Sequence, residues 1–158
     1  MNNKAVFFDF ISIILVVMVI GIVLLVAKTT YTSFTDSYTF TDANAQASMD
    51  DANSMLSALD WLPLIAIGVL FIFGIITASV TNVHPAFLVL GIILLIVAVV
   101  IAGYYKDFFQ DFQEQSTELN ASASALPISV QSINILPLVI LGLGSVILVF
   151  LYAKGGFM

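Results

Sequence analysis

Cysteine and arginine are absent from this chain, and histidine and tryptophan occur once each. Without cysteine there are no disulfides, no iron–sulfur clusters, no thiolate zinc sites and no cysteine nucleophile. A single histidine cannot supply bis-histidine haem ligation. Charge is scarce as well: 9% of the 158 residues are Asp, Glu, Lys or Arg, against about 25% in a soluble domain. So few charges cannot cover a water-facing surface, which leaves lipid as the solvent for most of it. Ten carboxylates stand against four lysines, for a net charge of −6 and a pI near 4.2. Nucleic-acid binding relies on basic clusters that displace counterions from phosphates. None exists here, so DNA and RNA are not expected as partners.

What the chain has in excess is apolar sequence, 61% of all residues, with a mean hydropathy of +1.12. About 20 consecutive apolar residues cross a hydrocarbon core, and four stretches qualify: 8–27, 62–80, 86–103 and 135–153. Lipid offers no partner to a backbone N–H or C=O, so each stretch reads as a helix. Phe7, Phe8, Trp61, Phe87, Tyr104, Tyr105 and Tyr152 mark the ends of these runs, as interfacial aromatic belts do. The first run exceeds the length of a signal-peptide core, Asp9 interrupts its start and no A-x-A site follows, so it reads as a retained helix. The expected fold is all-α: one transmembrane domain over residues 1–158, with four spans arranged as two helix–loop–helix units.

The connections alternate in length. Only residues 81–85 join the second and third spans, which predicts a tight antiparallel hairpin. Segments 28–61 and 104–134 are long and acidic, and an even number of spans places both on one side of the membrane. Nine of the ten acids lie there (Asp36, Asp42, Asp50, Asp51, Asp60, Asp107, Asp111, Glu114 and Glu118), so that side is strongly anionic. Lys28 and Lys106 share it, with Lys4 and Lys154 opposite. Lysine and arginine set orientation, and this even division gives only a lean towards cytoplasmic termini. Behind Asp42, a plausible N-cap, Ala45, Met49, Ala52, Leu56 and Leu59 recur at helical spacing, predicting an amphipathic helix in the first long loop. Tyr105, Phe108, Phe109, Phe112 and Leu119 keep a looser rhythm that extends the third helix beyond the lipid. Residues 29–41 carry no decisive pattern.

The second span opens Leu62-Pro63-Leu64-Ile65-Ala66-Ile67-Gly68 and the fourth opens Leu136-Pro137-Leu138-Val139-Ile140-Leu141-Gly142. The two either record a duplication or reflect the suitability of proline for the first turn of any helix. On this reading Pro63 and Pro137 start helices, and His84 and Pro85 form the turn between the middle spans. Gly74-x-x-x-Ala78 and Ala98-x-x-x-Ala102 place small residues on one helix face, where neighbouring backbones approach closely, and Gly21, Gly68, Gly91, Gly142 and Gly144 add further smooth patches for packing within the bundle or between copies. The interiors of spans two, three and four hold no ionisable residue, which argues against an ion or proton path. Ser12, Thr77, Ser79 and Ser145 have no base beside them. No catalytic, cofactor-binding or metal-ligating set is expected, and the chain reads as a non-enzyme that needs no cofactor.

Four segments together resemble a group of small four-span proteins encoded by tailless icosahedral viruses that enclose a lipid membrane. They are the His84-Pro85-Ala86-Phe87 turn, the aromatic–acidic exit after Tyr104-Tyr105, the Leu136-Pro137 start and the closing Leu151-Tyr152-Ala153-Lys154. The resemblance covers roughly residues 55–154. It departs at Ala102-Gly103-Tyr104, where the group carries a Ser-Asn form. It implies a structural component of a virion's internal membrane, shaping the bilayer beneath a capsid shell. The partners it implies are the lipid bilayer, other membrane or capsid proteins, and further copies of the chain. Two other readings fit the residues: a small accessory subunit of a cellular membrane complex, and a holin-like pore former. The short uncharged end Gly155-Gly156-Phe157-Met158 speaks against the holin.

Overall fold

A computed structural model describes residues 5–80 and 85–155. Among them every regular element is helical: α1 (Ala5–Ser37), α2 (Ala43–Ala58), a 3-10 turn (Leu59–Trp61), α3 (Leu62–Val80), α4 (Pro85–Glu114), α5 (Thr117–Ser124) and α6 (Pro127–Gly155). Four of the helical segments are long and apolar enough to cross a membrane. They are α1, α4, α6 and the near-continuous run of α2, the turn and α3. Their surfaces are inverted relative to a soluble bundle. Val19, Val23, Ile65, Val69, Ile72, Phe73, Ile93, Ile96 and Val149 all stand more than half exposed. Helices apolar on every side belong in lipid, and the protein is an integral membrane protein in that sense.

α6 packs on α4 and α3, and α1 packs on α3 and α4. Ile14, Val17, Leu25, Leu95, Ala98, Ala102, Ile140 and Ile147 fill the core between them. The hairpin expected of spans two and three turns at residues outside those described. Among the described residues α3 and α4 sit against α1 and α6 rather than against each other. The turn itself, with His84, falls at 81–84, outside the described residues.

The helices outrun the apolar segments at one end of the bundle. α1 continues past position 27 for about three turns, to Ser37, through the Thr-rich stretch whose sequence was indecisive. Its hydroxyls turn inward on their own helix: Thr29, Thr30 and Thr32 donate to the carbonyls of Leu25, Val26 and Lys28 at 2.8–3.0 Å. That local bonding lets residues of weak helix propensity prolong the rod. α4 runs on to Glu114, breaks, and restarts as α5 where Ser116 caps the Leu119 N–H at 3.1 Å. α2 begins at the expected cap, with the Asp42 carboxylate accepting from the Asn44 N–H at 2.9 Å. Its half-buried positions include Ala45, Met49, Ala52 and Leu56, the apolar face read from the sequence, while Leu59 is exposed. These extensions, α2 and α5 together make a polar head, into which the bundle core continues through Phe109, Ala123 and Ile133.

Candidate functional site

Proline chemistry places the most connected residue of the head. Pro63 has no N–H to offer the carbonyl of Leu59 four residues earlier. The Leu62 N–H serves that carbonyl instead, one residue sooner, and the backbone tightens into the 3-10 turn. Within that turn Asp60 is only 4% exposed. Its carboxylate reaches α6, accepting from the N–H of Ile128 at 3.0 Å and of Ser129 at 2.7 Å. In return the Ser129 hydroxyl donates to the Asp60 carbonyl at 2.9 Å.

This accounts for the donors in the first turn of α6. Leu126 occupies the cap position and has no side-chain acceptor, though its carbonyl takes the Val130 N–H at 3.1 Å. Pro127 has no N–H, and Asp60 takes the next two from across the bundle. A carboxylate is also favoured by the positive end of the helix dipole. Asp60 thus does for α6 what a local Ser or Asp does for most helices, and it ties the start of α3 to the start of α6. Those two helices consequently run parallel.

Two further ties hold the head. Lys28, 8% exposed at the end of the first apolar stretch, donates to the Asn53 side-chain carbonyl and lies 5.6 Å from the Tyr31 ring centre. The Tyr31 hydroxyl donates to the Met49 carbonyl at 2.9 Å, so one turn of α1 clasps α2 twice. Gln110 on α4 donates to Asn134 on α6 at 3.0 Å. These bonds bring residues 28, 53, 60, 110, 128, 129 and 134 to the same end of the bundle. Sequence reading treated Asp60 and Lys28 only as loop charges. A partner about 70 positions away leaves no periodic trace, although an acid directly before Trp61 and Pro63 was an available signal.

The small residues divide. Ala78, Ala98 and Ala102 are buried inside the bundle, and a methyl built on Gly74 would lie 2.9 Å from the Ile147 side chain. Gly142 is corrected: it is exposed, with open space where a side chain would go. The close approach on α6 occurs two residues later, at Gly144 against Leu95, and another occurs at Gly21 against Ile133. Pro137 is also corrected. It lies inside α6, which begins at Pro127, about two turns earlier. The Asp60 cap explains how α6 starts so far upstream of its apolar run. Pro63 is fully buried at the start of α3, and Pro85 opens α4.

The chain has no match among protein-family models, curated proteins or solved structures.

Proposed function

We propose that this chain is a structural protein of a virion's internal membrane, holding a four-helix bundle in the bilayer and presenting its acidic head to a neighbouring protein layer. The observation that carries the reading is the division of labour along the bundle axis. The apolar spans pack through small residues, while the described side chains with charge or extensive hydrogen bonding gather at one end. The buried ionisable groups among the described residues, Lys28 and Asp60, both lie in that head and both are engaged in holding helices together. Such an arrangement suits a scaffold: the spans anchor, and the head is rigid enough to be a contact surface. The resemblance of residues 55–154 to four-span virion membrane proteins supplies the virion setting. The chain acts by assembly and not by catalysis, and its partners are lipid, capsid-layer or membrane proteins, and its own copies.

The test is to purify particles from a producing culture and follow the protein by antibody. Under this reading it co-sediments with capsid and leaves the particles on chloroform or detergent treatment, and particles do not mature when its gene is disrupted. Normal particles formed without it would refute the reading. Recovery instead in a respiratory or other cellular complex would favour the accessory-subunit alternative.

A further inference from the structure

Where α3 and α6 enter the apolar zone side by side, a cleft of about 260 Å³ opens between them, lined by Trp61, Leu64, Ile128, Gln131, Ser132 and Ile135. Its walls are of two kinds. Leu64, Ile128 and Ile135 are apolar, whereas Gln131 presents an amide and Ser132 a hydroxyl. Ser132 is 2% exposed. Other helical serines here, such as Ser145 and Ser124, donate to the carbonyl four residues back. Among the described residues the Ser132 hydroxyl has no such partner. The Ser132 oxygen is not sealed from the opening it borders, so it is placed to donate to a molecule held there.

Beyond the cleft each of the two helix faces carries a glycine. On α3 the sequence Trp61, Leu64, Gly68 keeps one face, and on α6 Ile128, Ile135 and Gly142 follow at seven-residue spacing. At both Gly68 and Gly142 a side chain would meet nothing within 4 Å. The cleft is thus a polar notch at the level where the span begins, with a tryptophan 53% exposed on its rim, and exposed glycines stand farther along both helices.

We infer that the α3–α6 cleft is a binding site for one bilayer phospholipid, whose headgroup- and glycerol-level oxygens accept from Ser132 and Gln131 and whose chain lies along Gly68 and Gly142. Three apolar walls disfavour water, and the volume is far too small for a whole lipid but suits its amphiphilic shoulder. An indole on the rim matches the interfacial preference of tryptophan. This inference rests on the membrane placement of the bundle and not on the virion reading, so either can fail alone.

The experiment is native mass spectrometry of the full chain in dodecyl maltoside titrated with dioleoylphosphatidylcholine. Wild type is expected to retain one lipid at low lipid ratios. Ser132→Ala and Gln131→Ala are expected to lower the one-lipid population several-fold, with unchanged helical circular dichroism. Gly142→Leu, which fills open space and leaves the bundle intact, is expected to lower it as well. In vesicles containing chain-brominated phosphatidylcholine, Trp61 fluorescence, the only tryptophan signal, is expected to be quenched to saturation at a low brominated fraction. Equal retention by all variants, no retained lipid, or quenching that tracks bulk composition would overturn the assignment. So would a dimer peak abolished by Gly142→Leu, which would assign the cleft to a second copy.

Discussion

Asp60 and Ser129, 69 positions apart, hydrogen-bond to each other twice: the Ser129 N–H donates to the Asp60 carboxylate at 2.7 Å, and the Ser129 hydroxyl donates to the Asp60 carbonyl at 2.9 Å. With the Ile128 N–H on the other carboxylate oxygen, this contact starts one membrane helix from the residue that precedes another. Asp60→Ala strands two backbone donors in a buried place, at a cost of about 1–3 kcal/mol. Ser129→Ala loses only the hydroxyl bond, worth about 1 kcal/mol, and Asp60→Asn is expected to fall between them because a carboxamide has one acceptor oxygen. Unfolding midpoints in detergent should fall most for Asp60→Ala, less for Asp60→Asn and least for Ser129→Ala. Backbone amide exchange is expected to accelerate first at 128–130.

Packed glycines on α1 and α6 contrast with an exposed one on α6. Gly144→Leu must displace Leu95, and Gly21→Leu must displace Ile133; overpacking of this kind costs about 1–3 kcal/mol. Gly142→Leu meets open space and is expected to change stability by no more than about 0.5 kcal/mol. Thermal denaturation of the purified variants checks the difference. Equal losses at 142 and 144 would show that α6 is rotated from the orientation described.

The spans were legible because lipid imposes a length and a composition that the sequence must display residue by residue. The start of α2 was legible for a local reason, since Asp42 caps a helix whose apolar face recurs at helical spacing. The reach of α1 to Ser37 was not, because Thr29 to Ser37 carry hydroxyls that suit a helix only when they bond its own carbonyls. Nor was the start of α6 at Pro127, because its cap comes from Asp60 and no local pattern encodes that. Gly142 was grouped with Gly21 and Gly144 as a smooth patch, yet only the latter two meet a neighbouring helix, because a glycine's presence in the text does not say which face of its helix it occupies.

Conduction is a separate matter. Spans two, three and four present no ionisable side chain, and a charge at mid-bilayer costs at least about 2.5 kcal/mol. Liposomes carrying the purified protein are therefore expected to hold a proton or potassium gradient as well as protein-free liposomes do. A steady, saturable flux would revive the pore-forming reading.

The most direct test of a four-span bundle with a one-sided head uses the absence of cysteine. Ser48 on α2 and Ser116 before α5 are both exposed, and Asn2 lies in the N-terminal tail, so each can carry a single cysteine without background. A membrane-impermeant thiol reagent is applied to sealed vesicles of known orientation. The account predicts that Ser48→Cys and Ser116→Cys are labelled from the same side, and Asn2→Cys only from the other. Labelling of positions 48 and 116 from opposite sides would contradict it.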